Sequence, residues 1–454
     1  MSSTHGKSGG TEADNSTARQ DAAGVDAAAG RNDMAPAITS PSRRSLLKGG
    51  LLAAGGAAAA AGLAACRREG PDAGGGKRAT DSTLQSQPFR GVHQSGITTP
   101  TQAAAIVVAM DVVGRGRPVL ERLFRKLDER IAFLMQGGAV AERNPQLPPL
   151  DSGVLGPTVF PDNLTVTLSV GASLFDDRFG LAAAKPKQLV EMPSFRNDSL
   201  DASLCDGDLM LQICSNTAET NIHALRDIIK QSSGLANLRW TLDGFLPPHT
   251  VQKLGKDSII NLLGFKDGTA NPDAGDARLM DGMVWVQPDS GEPAWAIGGS
   301  YQAVRIIRNF VEFWDRTPLR EQEQIMGRHK ASGAPLGMKR EHDEFDYAND
   351  PDGEVTPLDA HIRLANPRTP GSRQILRRSY NYSRGFTRSG QLDQGLLFVC
   401  YQSDLDEGFI AIQKRLDGEP LEEYIKPFGG GFYFALPGAR DEGEYLGQRL
   451  VEAA

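Results

Sequence analysis

Cysteine is scarce in this chain of 454 residues: Cys66, Cys205, Cys214 and Cys400 are the only four, and no two form a CxxC pair. That excludes a cysteine-rich zinc module and a thioredoxin-like motif. Cys400 lies in the apolar run Leu396 to Tyr401 and reads as core. Cys205 and Cys214 read as two separate small core residues, with a disulfide between them as the alternative. An excess of positive charge is also lacking. Against 56 acidic residues stand 49 Lys and Arg, a formal net charge of −7, which argues against a general nucleic-acid binder with a basic face. Histidine is sparse, seven in all, so each can be weighed as a ligand. Long apolar runs are missing save one, residues 49–65, made mostly of Ala and Gly. At about 17 residues it is short and weakly apolar for a stable spanning helix.

What precedes that run has the character of an address. Residues 1–41 are rich in Ala, Gly, Ser, Thr and Asp without apolar periodicity, and read as disordered. Ser42-Arg43-Arg44-Ser45-Leu46-Leu47-Lys48 then leads into the Ala/Gly segment. Paired arginines before a weakly apolar stretch resemble a twin-arginine export signal. Leu63-Ala64-Ala65-Cys66 resembles a lipobox, in which Cys66 is lipidated; cleavage after nearby small residues is the alternative. Residues 67–94 read as a flexible linker. The body is expected on the periplasmic or extracellular face, meeting the membrane only through the signal segment or a lipid on Cys66.

The body is long enough to bury a sizeable core and too long for one average domain. Ala103 to Met110 has strand length. Val119, Leu120, Leu123, Phe124, Leu127, Ile131 and Leu134 recur at helical spacing up to Gly137-Gly138. Leu164 to Val170 and Asp208 to Cys214 read as strands, Thr217 opens a helix carrying Ile222, Leu225, Ile228 and Ile229, and Leu238 to Leu246 returns to extended structure. This is a ferredoxin-like order. A weaker version follows. Met283 to Val286, Ala303 to Phe310, Leu396 to Gln402 and Phe432 to Leu436 are expected strands, and Thr317 to Gly327 and Asp406 to Leu416 expected helices. The fold class is therefore α+β: two ferredoxin-like halves with antiparallel sheets, 95–250 and 251–454. Residues 332–373 are long for a structureless loop, which marks a functional insert.

Two clusters carry chemistry. Gly264-Phe265-Lys266-Asp267-Gly268-Thr269-Ala270-Asn271-Pro272 follows the apolar segment Ile259 to Leu263. Asp-Gly and Asn-Pro are turn signals, and a turn directly after a buried segment can present one carboxylate to a cavity. Asp359-Ala360-His361-Ile362-Arg363-Leu364-Ala365-Asn366-Pro367-Arg368 is the second. A lone histidine is more often structural than a ligand, but His361 has Arg363 and Arg368 beside it, cations suited to carboxylates. No other histidine has such company.

GFKDGTANP, DAHIRLANPR and LRRSYNYSRG, with NLTVTLSVGASLFD, GRHKASGAPLG and GLLFVCYQSDLDEGF, resemble in order the dye-decolorizing peroxidase family. The likeness spans roughly 90–450 and is greatest to the exported, iron-uptake-associated deferrochelatase/peroxidase subgroup. It implies one haem b per chain between the two halves, in a barrel-like α+β fold. By motif position, His361 matches the proximal ligand to iron, Asp267 the distal acid/base and Arg377 the distal arginine. Gly268, Thr269, Ala270, Asn366, Pro367, Arg368 and Arg377 match haem-contacting positions. Asp404 is the candidate carboxylate behind His361. Ser379 stands where some relatives carry a distal asparagine. Tyr380 and Tyr382 either relay electrons or simply pack. The resemblance further implies hydrogen peroxide and small organic reductants as substrates, and no nucleic acid. It leaves iron-permease components and a second copy of the chain as partners to test. Two alternatives stay open beside the peroxidase: a deferrochelatase that frees iron from haem with the porphyrin intact, and a non-catalytic haem-binding component.

Overall fold

The computed structural model describes residues 82–247, 259–369 and 372–453. Residues 1–41, Arg43-Arg44, Cys66 and the expected linker up to residue 81 lie outside the described residues. Strands β1 (Ala104–Val112), β2 (Thr165–Gly171), β3 (Leu209–Ser215) and β4 (Ala236–Phe245) form the first half, with helices α1 (Arg117–Gln136) and α2 (Ala218–Gln231). Its strands lie in the order β4-β1-β3-β2, all antiparallel. The second half repeats the pattern with β5 (Ser300–Asn309), β6 (Tyr380–Phe386), β7 (Leu392–Gln402) and β8 (Ile425–Ala435), in the order β6-β7-β5-β8.

The two sheets are not separate. β2 pairs with β8 through Gly171 and Tyr433, and β4 meets β6 through Phe245 and Asn381. The eight strands thus close into a ring, which leaves few unpaired sheet edges. Closure explains why β1 is apolar at nearly every position. Ile106, Val108 and Met110 face outward into the core under α1, whereas Ala105, Val107 and Ala109 face the barrel interior. Tyr380 and Tyr382 are buried in that interior and pack there. Cys205, Cys214 and Cys400 are free and buried, so no disulfide joins the first two. Among the described residues no helix is long and apolar enough to cross a membrane.

Three expectations need correction. Met283 to Val286 is not a strand; Asp276 caps a helix, Ala277–Met283, whose buried Met280 sits one turn before Val284. Asp406 to Leu416 is not one regular helix but a π turn, Asp406–Ile410, running into an α-helix, Ala411–Leu416. The linker does not reach residue 94. Arg90 pairs with Asp128 at 2.7 Å, His93 stacks on Trp285 at 3.8 Å, and Gln94 Nε2 donates to the carbonyls of Leu168 and Leu436.

A small third core sits beside the barrel. Leu263 and Phe265, Trp314, Ile325 and Met326, and Leu421 and Tyr424 pack together, and Trp314 Nε1 donates to the Leu263 carbonyl at 2.8 Å. It joins the hairpin before Asp267, helix α3 (Leu319–Met326) and the turn after Glu419.

Candidate active site

His361 opens the short helix α4 (His361–Ala365) inside the long insert. Five residues are too few for helix propensity to hold, and side chains fix it instead. Arg363 donates to the carbonyls of Thr356 and Asp350, each at 2.7 Å, and Arg415 caps the carbonyls of Leu364 and Ala365. Arg363 is therefore committed to the scaffold rather than to a ligand. Gly327, left-handed at φ 81°, ends α3 against α4; a Cβ there would stand 2.6 Å from Ile362 Cγ1.

The His361 Nδ1 lies 2.7 Å from Oε2 of Glu419, which is 5% exposed. Burial alone would depress the imidazole's pKa, but the Glu419 carboxylate outweighs it and holds the group above its ordinary value. Asp404 was the expected partner. It is not, because its Oδ1 accepts from the Glu407 N–H at 2.8 Å and starts the π turn.

Asp267 ends the hairpin of Ile259–Ile260 with Lys266–Asp267, and Arg377 lies on the short strand Leu376–Arg377 beside β7. Arg377 Nη1 is 2.5 Å from Asp267 Oδ1. Burial pushes the Asp267 carboxyl up, but the Arg377 guanidinium wins and keeps it below the usual carboxylate range. Gly268 has φ 99°, which suits glycine at this turn. Lys266 Nζ and the Thr269 hydroxyl both reach the buried Glu341 of the insert, at 2.5 and 2.9 Å. Thr269 therefore spends its hydroxyl on the loop.

His361, Glu419, Asp267 and Arg377 line one cavity, together with Gly268, Thr269, Ala270, Asn366 and Arg368. Its apolar walls come from Ile307, Leu396, Phe398, Phe409, Ile412 and Leu416. Pro367 stays outside the lining. Asn366, Arg368 and Arg373 also line a polar cleft that adjoins the cavity.

This donor set fits an iron porphyrin. With Nδ1 held by Glu419, the imidazole keeps a lone pair at Nε2, which makes no hydrogen bond among the described residues. Apolar walls suit a macrocycle, and Arg368 and Arg373 suit its carboxylates. No group of three or more His, Cys, Asp or Glu among the described residues could hold a bare metal ion. A single imidazole suffices where a porphyrin supplies the other four nitrogens.

Models of the Dyp-type peroxidase N-terminal and C-terminal domains match residues 94–246 and 258–440. The chain belongs to the Dyp-type peroxidase family. It is 58% identical over 417 residues to the protein named deferrochelatase in Escherichia coli (strain K12), covering 91% of this chain and 98% of that one. The deferrochelatase of Shigella flexneri is 57% identical over 418 residues, with the same coverage. Among solved structures, the DyP-type peroxidase of Cellulomonas bogoriensis superposes with a TM-score of 0.74 at 36% identity, over 82% of this chain and all of that one. Ferric DtpA from Streptomyces lividans gives 0.73 at 36% identity, over 82% and 99%. The protein is thus a DyP-type peroxidase whose relatives include deferrochelatases.

Sequence reasoning reached His361, Asp267 and Arg377 but missed Glu419 and Glu341. Glu419 sits in Gly418-Glu419-Pro420, which reads as a turn on the surface. Only its burial and its contact with His361 expose the role.

Proposed function

We propose that this DyP-type peroxidase binds haem b on His361 and reduces hydrogen peroxide while taking single electrons from small organic reductants. The observation that carries the reading is the pairing of His361 with buried Glu419 in the same cavity as the Asp267–Arg377 ion pair. A haem bound there supplies the redox-active iron that peroxide cleavage requires. Glu419 accepts a hydrogen bond from the His361 Nδ1–H and fixes the ring, so that Nε2 would be the atom that holds the iron, with its basicity raised. Asp267, ionised beside Arg377, takes the proton from one peroxide oxygen and returns it to the other, worth about 10²–10⁴-fold. The Arg377 guanidinium stabilises charge on the departing oxygen, by about 3 kcal/mol. The test is a stopped-flow record of haem-loaded protein mixed with peroxide. Rapid change in the haem spectrum, lost in Asp267→Asn, is the expected result; equal rates in the two proteins refute the distal role.

A second reading is favoured by the relatives named deferrochelatase: the same site releases iron from haem and leaves the porphyrin whole. Anaerobic incubation with haem should then produce protoporphyrin fluorescence, and its absence counts against this activity. Export by the twin-arginine route, with lipid on Cys66, completes the reading. It is supported by Arg43-Arg44 and Leu63-Ala64-Ala65-Cys66, and Cys66→Ser should release a tethered protein from membranes.

A further inference from the structure

Asp267 and Arg377 come from distant parts of the chain, and each sits on a two-residue strand. Sheet pairing therefore gives little control over their mutual placement. Asn271 supplies that control. Its Nδ2 donates to the Arg377 carbonyl at 2.9 Å, and its Oδ1 accepts from the Arg377 N–H at 2.9 Å. One side-chain amide thus satisfies both main-chain groups of one residue, as a paired strand would. Its own N–H donates to the Gly268 carbonyl at 2.9 Å, which folds residues 268–271 into a turn. The loop that carries the carboxylate is in this way stitched to the backbone of its ion-pair partner.

Asn261 acts from the other side. Its Oδ1 accepts from the N–H groups of Leu263 and Phe265, at 3.0 and 3.2 Å. Those two bonds fix the plane of the amide and leave Nδ2 to act on the Asp267 carboxyl, which Asn261 helps to hold below its ordinary value. Asn381 Nδ2 donates to the Ile260 carbonyl at 3.2 Å and ties the hairpin to β6. Both asparagines line a second cavity that Asp267, Arg377 and Ser379 also line.

We propose that Asn271 and Asn261 are positioning residues that align the Asp267 carboxylate with the Arg377 guanidinium for proton transfer. The inference rests on the acid–base reading given above. Neither amide titrates, so the two clamps themselves do not change with pH. The charged or titratable groups facing Asp267 are Arg377 and His361, and neither is altered in the test variants. Releasing either clamp leaves the carboxylate and guanidinium present but misaligned.

The experiment compares haem-loaded wild type with Asn271→Leu, Asn271→Asp, Asn261→Leu and Asp267→Asn. The second-order rate with hydrogen peroxide is followed against pH, and reductant oxidation is measured separately. Asn271→Leu and Asn261→Leu should slow the peroxide step by about 10- to 100-fold. They should also move its acid limb upward by about half a pH unit or more as the carboxyl loses its cation. The haem spectrum and the reductant step should not change. Asn271→Asp keeps the acceptor to Arg377 N–H and should recover part of the rate. A wild-type rate and acid limb in both leucine variants overturns the inference. So does an equal loss in the peroxide and reductant steps, which marks general loosening. If Asn271→Leu does not fold, Asn271→Asp and Asn261→Leu carry the same comparison. If Asp267→Asn is slow while the asparagine variants are normal, positioning alone fails. If Asp267→Asn reacts at the wild-type rate, the acid–base reading fails first.

Discussion

His361 Nδ1 and Glu419 Oε2 stand 2.7 Å apart, although 58 residues separate them in the chain. Glu419 comes from a turn braced by the third core, and His361 from a helix pinned by two arginines. The contact therefore reports how the insert docks on the barrel as well as what the imidazole can do.

Glu419→Gln should keep haem but raise its reduction potential, because a neutral amide no longer draws on the Nδ1 proton. Asp404→Asn should leave the potential where it is, since Asp404 only caps a turn. Potentiometric titration of both variants checks the assignment.

The Asp267 carboxyl lies below its ordinary value, so it is ionised above that depressed value and loses its base form only as pH falls through it. The peroxide step should therefore keep its rate from neutrality down to about pH 4. In Arg377→Ala, burial loses its main opponent and the acid limb should move upward, with a rate about 100-fold lower. A pH series of stopped-flow rates decides both.

Much of this was legible in the sequence, and the failures have physical causes. The first half was readable because its helices carry clean apolar periodicity, as in Leu120, Leu123, Leu127 and Ile131. In the second half, Met283 to Val286 looked like a strand because four apolar residues in a row fit either state. Ring closure was not readable from any local pattern; β1, apolar on both faces, was the trace it left. His361 and Asp267 stood out by their neighbours. Glu419, Asn261 and Asn271 did not, because a turn residue with a fixed partner is spelled like any other turn residue.

Arg305 and Asp198 form an ion pair in which both side chains are all but fully buried. Removing one partner leaves an uncompensated charge, which costs about 3–5 kcal/mol. Asp198→Ala should thus melt several degrees lower even before haem is added. Differential scanning calorimetry measures it, and an unchanged Tm contradicts the assignment.

The most direct measurement is the absorption and electron paramagnetic resonance spectrum of His361→Ala reconstituted with haem. Loss of the histidine-ligated signature, restored by added imidazole, is the outcome predicted. A spectrum identical to that of wild type would contradict His361 as the ligand, and with it the roles assigned to Glu419, Asp267 and Arg377.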